Sequence, residues 1–127
     1  ASIDGLRVPR EATFSYSSSK AAFIALTKHL AHQLGPRNVT VNAICPGFFY
    51  TKMLAGRSKA ALKHWNEPDH PDVTEFKAHL SKDNPLGRLG EGRDIAGTTI
   101  FLMSHAGSYV NGATITVDGG QMLGSRL

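Results

Sequence analysis

The chain has 127 residues, of which 41% are hydrophobic, 19% charged and 8% aromatic, values that suit an ordinary globular piece and exclude disorder and low complexity. Its formal charge is +4 and its pI is near 9.5, yet the lysines and arginines are scattered without a basic stripe or interleaved aromatics, so no nucleic-acid partner is expected and a small anionic ligand suits the charge as well. No apolar run approaches a membrane span, so no membrane partner is expected, and the single cysteine, Cys45, cannot close an internal disulfide, which fits a reducing, cytoplasmic setting.

In chain order, Ala1-Ser2-Ile3-Asp4-Gly5 reads as the end of a strand carrying a serine. From about Ser15 to Leu34, Ala22, Phe23, Leu26, Leu30 and Leu34 recur at helical spacing, and Gly35-Pro36 closes the helix. Val39 to Ile44 is a short β-rich run bounded by Asn38 and Pro46-Gly47. Thr114 to Val117 is another, bounded by Gly112 and Asp118-Gly119-Gly120, and both are predicted as buried parallel strands. Between the first of these strands and the next helix runs a polar stretch from about Thr51 to Arg93, punctuated by Pro68, Pro71 and Pro85. Short helices are expected near Ser58 to Trp65 and Val73 to Ser81. Connections of that length usually carry function, so residues 51–93 are read as a substrate lid inserted in a single domain of residues 1–127. Asp94 to Ser104 is predicted as a further helix that packs through Ile95, Thr98, Thr99 and Leu102.

The chemistry-bearing feature is Tyr16-Ser17-Ser18-Ser19-Lys20. Residues four apart on a helix share a face, so the Lys20 ammonium can stand beside the Tyr16 phenol and favour its ionised form. A phenol held this way can pass a proton to or from a substrate oxygen. The same spacing arises by chance on many surface helices, and it gains weight only from its neighbours.

Those neighbours are Ala1 to Gly5, Ala21-Ala22 after Lys20, Val39 through Asn42 to Pro46-Gly47 with Thr51 beyond, Pro85-Leu86-Gly87-Arg88 leading to Asp94-Ile95-Ala96, and Val110-Asn111-Gly112 running to Val117-Asp118-Gly119-Gly120. Together and in this order they resemble the short-chain dehydrogenase/reductase family, from Ala1 to about Gly120, with an ending like that of the 3-oxoacyl-acyl-carrier-protein reductases. The resemblance implies an α/β fold, the C-terminal portion of a doubly wound parallel-sheet Rossmann fold. It implies an NAD- or NADP-dependent oxidoreductase that moves a hydride between nicotinamide and a carbonyl or secondary alcohol, working as a homodimer or homotetramer. On it, Tyr16 is the proton donor, Lys20 binds the nicotinamide ribose and tunes Tyr16, and Ser2 bonds the substrate oxygen. Pro46, Gly47, Phe49 and Thr51 fall where the family meets the nicotinamide carboxamide. The spacing from Ser2 to Tyr16 is about one residue longer than usual, and Gly92 stands where the family commonly has proline.

The Gly-rich turn that holds a dinucleotide pyrophosphate is absent from the 127 residues. Gly87-Arg88-Leu89-Gly90-Glu91-Gly92 lacks its spacing and reads as a turn. The isolated chain is therefore expected to need the missing half for activity, and the alternative is a truncated, non-catalytic product that keeps the family's oligomerisation surfaces. Other residues have plainer readings. Asn42 is expected to bridge strands. His29 and His32 share a helix face but lack the further partners of a ligand set, so no metal is expected. Phe48 and Phe49 could be core, and Met53, Leu54, Trp65 and Phe76 line an apolar substrate or simply pack the loop. Neither the cofactor's 2′ group nor the substrate can be read from these residues.

Overall fold

The structure, a computed structural model, describes residues 1–9, 12–82 and 84–124. They fall into two compact units, one of Ala1–Pro46 with Arg93–Val117, the other of Gly47–Gly92 with the segment from Asp118 onward.

In the first unit, helix α1 spans Phe14–Leu34, a run without Gly or Pro in which Ala and Leu lose little in adopting the helix. It ends in two steps, a 3-10 turn at Gly35–Arg37 followed by Asn38 in the left-handed conformation at φ 59°, a residue type that tolerates it. The buried side chains of α1 are Ile24, Thr27 and Ala31. The apolar set read from the periodicity lies elsewhere, since Phe23, Leu26 and Leu30 are exposed. The helix has two apolar faces, and the one with small and β-branched residues is the one that finds partners. Ile24 joins Ile3 and Cys45 in a buried cluster, where full burial of an isoleucine contributes about 1.5–3 kcal/mol.

Strand β1, Ala43–Pro46, pairs in parallel with β2, Thr114–Val117, with Ala43 opposite Thr114 and Pro46 opposite Val117. The predicted strand at 39–44 thus begins four residues later. The cause is a pair of asparagines that replace the ladder ahead of it. Val41 N–H donates to Asn111 Oδ1 at 2.9 Å, and Asn111 Nδ2 donates to Ala31 O at 3.1 Å. Asn42 Nδ2 donates to Val110 O at 2.8 Å and its Oδ1 accepts from Ala113 N at 2.9 Å, the bridging role expected for it. The strands are parallel as predicted but only β1 is buried, at Ala43 and Cys45; Thr116 of β2 is exposed. The predicted helix at 94–104 appears as α5, Gly92–Met103, with Ile95, Thr98, Thr99 and Leu102 half-buried as expected.

The second unit takes in nearly all of the predicted lid. It holds α2 at Lys52–Ala55, α3 at Lys59–Lys63 and α4 at Pro71–Ser81, with α5 beginning at its end. Each of the three has a side-chain cap: Leu54 N–H donates to Thr51 Oγ1, Ala61 N–H to Ser58 Oγ, and Asp72 N–H to His70 Nδ1, bonds typically worth about 1 kcal/mol each. α3 and α4 were expected, and α2 was missed. Its one signal is Thr51 at the cap position, too little for a four-residue helix to be read from sequence. Leu54, Ala55, Ala61, Val73 and Leu89 are buried, so the segment has its own packed interior. Asn84, 3% exposed, fastens it. Its Nδ2 donates to Asp118 O at 2.9 Å and its Oδ1 accepts from Leu86 N at 2.9 Å. The Asp118 carboxylate in turn accepts from Gly120 N and Met122 N at 2.9 and 2.8 Å.

Candidate active site

Ser2 sits in extended backbone, at φ −163° and ψ 154°, as the cap of a 3-10 turn over Ile3–Gly5. Ser2 thus leads from extended backbone beside β1, where Ala1 N–H donates to Ile44 O at 2.9 Å, directly into the turn that it caps. The Ser2 hydroxyl oxygen accepts the Asp4 N–H at 3.2 Å, which leaves its own proton for donation. The side chain is buried, the residue being 7% exposed.

Gly5 determines where this turn lies. A Cβ there would stand 2.7 Å from the Lys20 carbonyl carbon and 2.8 Å from Ala21 N, closer than side-chain atoms come to backbone. Only glycine lets the turn rest on the backbone of α1, and it rests at Lys20. The serine, three residues back, is thereby tied to the helical turn that carries the lysine. Sequence reasoning named Gly5 only as part of a strand end. The signal that could have found it is a glycine three residues after a capping serine.

On α1 itself, Lys20 Nζ lies 5.1 Å from the centroid of the Tyr16 ring and 5.5 Å from that of Phe23, so the i, i+4 neighbours meet as the helix geometry requires. Tyr16 is 39% exposed and Lys20 half-buried. The helix thus carries a phenol and an ammonium side by side, and the serine's turn rests on the backbone of the same helix, groups whose chemistry suits proton exchange with a substrate oxygen.

The residues assigned to the nicotinamide are less uniform. Pro46 ends β1 in the first unit. Gly47, Phe49 and Thr51 belong to the second. Gly47 is pressed against Asp118 and Gln121, where a Cβ would stand 2.7 Å from Asp118 Cβ, and Gln121 Oε1 accepts from Phe48 N at 2.9 Å. Phe49 pairs its backbone with Gly90 and lays its ring on that glycine. Thr51 spends its hydroxyl oxygen as the α2 cap and keeps its proton. Of the candidate lid residues, Leu54 is buried packing and Met53 is 79% exposed. Trp65 stands at the surface beside Lys52, whose ammonium is 5.6 Å from its ring. The second unit also contains a cavity of about 550 Å3 bordered by Tyr50, Lys77, Ser81 and Leu89, which sequence reasoning did not anticipate. His29 and His32 are exposed on α1. None of the helices among the described residues is long and apolar enough to cross a membrane.

Residues 1–122 match the family described as enoyl-(acyl carrier protein) reductase. Among curated relatives, the 3-oxoacyl-(acyl-carrier-protein) reductase of Aquifex aeolicus is 40% identical over 106 residues, which are 84% of this chain and 37% of that protein. Among solved structures, Thermoplasma acidophilum aldohexose dehydrogenase superposes with a TM-score of 0.83 at 25% identity, covering 100% of this chain and 48% of the other. Pseudomonas aeruginosa RhlG, in an NADP active-site complex, gives 0.74 at 30% identity, covering 95% and 44%. The chain thus spans less than half the length of these proteins. The parallel strand pair and its flanking helices are part of a Rossmann-type α/β fold.

Proposed function

The chain belongs to the short-chain dehydrogenase/reductase family, a family of oxidoreductases, and we propose that it supplies the catalytic half of an NAD- or NADP-dependent enzyme acting on a carbonyl or secondary alcohol. The observation that carries this reading is the seat of Gly5 on the backbone of Lys20, which ties the serine's turn to the helix turn where Lys20 meets Tyr16.

The donor set fits the nicotinamide end of the cofactor, which when bound supplies hydride to the carbonyl carbon. Tyr16 passes its hydroxyl proton to the substrate oxygen, and takes one back in the direction of alcohol oxidation. Ser2, with its oxygen already bonded to Asp4 N–H, donates its proton to the same substrate oxygen. Lys20 places its charge beside the Tyr16 ring and has the reach to hold ribose hydroxyls. Pro46, Gly47, Phe49 and Thr51 would hold the carboxamide, Thr51 by the proton its capping bond leaves free. The adenine half of the cofactor needs residues that this sequence does not contain. The test is Tyr16→Phe in the intact protein, followed by NAD(P)H oxidation with a panel of ketones and 3-oxoacyl thioesters. Turnover falls about 10²–10⁴-fold, the usual contribution of a positioned general acid, and undiminished turnover overturns the assignment.

A second reading is favoured by one observation, the exposure of Phe23, Leu26 and Leu30 on α1 and of Ile100, Phe101 and Met103 on α5. Apolar residues grouped this way suit an interface between copies of the chain, in a homodimer or homotetramer, and a non-catalytic product would retain it.

A further inference from the structure

The connection between α3 and α4 brings together three metal-ligating side chains that have no part in the proposed proton transfer or cofactor contacts. His64 closes α3 and His70 caps α4. Glu67 lies midway between them. Two successive turns set the spacing, with Glu67 N–H donating to His64 O at 2.8 Å and His70 N–H to Glu67 O at 3.0 Å. Two steps of three residues bring the three side chains to one side of the connection. The imidazoles stack, their centroids 3.6 Å apart and their planes within 4°. His64 Nδ1 lies 3.0 Å from Glu67 Oε1, and one ligand atom from each of the three lies within 4.8 Å of the others.

We propose that His64, Glu67 and His70 form a binding site for a divalent transition metal, zinc above all. Two imidazoles and one carboxylate are a donor set suited to zinc and its neighbours, whereas magnesium and calcium favour oxygen ligands. Atoms bound at about 2.0–2.2 Å in a tetrahedron stand roughly 3.4 Å apart, so the present spacing, within 4.8 Å, has to close by side-chain rotation. The rings must splay as it closes, because each nitrogen lone pair lies in its ring plane and parallel planes share no point. The contacts that the ion replaces are the His64–Glu67 hydrogen bond and the bond from Asp72 N–H to His70 Nδ1 that caps α4. In the present arrangement His70 Nδ1 accepts the Asp72 N–H, with Asp72 Oδ2 3.8 Å away; an ion on the other nitrogen moves the proton to Nδ1, which then gives up the cap bond and can turn to that carboxylate. Three protein ligands leave a fourth position to water. The ion ties the end of α3 to the start of α4 and stiffens the segment expected to cover substrate. This reading does not depend on the proposed redox activity.

The experiment titrates zinc chloride into the intact, untagged, chelator-treated protein by calorimetry, with the thermal midpoint recorded alongside. One equivalent of zinc per chain binds saturably and raises the midpoint. His64→Gln and His70→Gln each abolish that equivalent. Glu67→Gln, at an exposed side chain where folding is not at stake, weakens it at least tenfold. The pair His29→Gln and His32→Gln, on α1, leaves it unchanged. Absence of saturable uptake by the native protein overturns the site and leaves a stacked pair that only braces the turn. Uptake that survives His70→Gln and Glu67→Gln overturns it equally.

Discussion

Cys45 and Ser2 meet in the first unit, and their contact links the core to the candidate site. Cys45 is fully buried, and that burial pushes its thiol above the ordinary range of about 8.5, against the opposing pull of a hydrogen bond from the Ser2 backbone. Because the folded state disfavours the thiolate, its contribution to stability is complete below the unfolded thiol's pKa and is lost as pH rises through the folded one. Two outcomes follow at this residue. Iodoacetamide leaves Cys45 unmodified in the native protein at pH 8.5 and labels it in urea, and equal labelling rates in both states would contradict its place in the core. The urea midpoint falls as pH is raised above about 8.5, and Cys45→Ala flattens that fall.

Between elements, the approach of the Ile3–Gly5 turn to α1 is the contact on which the site depends. Gly5→Ala sets a methyl group within 2.7 Å of the Lys20 carbonyl carbon, and the turn must lift away from the helix. The expected loss is about 1–3 kcal/mol, the usual cost of overpacking, read as a lower urea midpoint. Turnover falls with it when the serine's turn is displaced from Lys20. A Gly5→Ala protein with native stability and native turnover would show that the turn does not position the serine. Asn111 works at the same scale, joining the segment before β1 to the end of α1 through one side chain. Truncating it to alanine orphans the Val41 N–H and removes a donor from Ala31 O. Because water can reach the exposed Val41 N–H, the expected cost is about 0.5–1.5 kcal/mol, and an unchanged urea midpoint would remove the asparagine bridge as the reason β1 starts late.

Across the whole molecule, the exposed apolar residues of α1 and α5 predict association. In the intact protein, Phe23→Glu together with Leu26→Glu shifts the sedimenting species toward the monomer while the far-ultraviolet circular dichroism of the chain is kept. An unshifted distribution places the interface elsewhere and removes the support for the second functional reading. Because the chain spans only 37% of its Aquifex aeolicus relative, activity is to be measured on the intact protein, where a nucleotide-binding partner half can be present.

The order of motifs was legible from the sequence alone, and with it the family, the parallel strand pair and the tyrosine–lysine pair. These depend on spacing along one helix or on punctuation by glycine, proline and asparagine, and such local rules hold wherever the segment lies. Tertiary structure decided which face of α1 is buried, that Asn42 and Asn111 replace the first rungs of β1, that Ser2 caps a turn, and that Gly5 is the contact fixing that turn. It also brought His64, Glu67 and His70 together. Periodicity marks a residue as apolar but not the surface it will meet, and a side chain that replaces a backbone ladder is recognised only once its distant partners are in place.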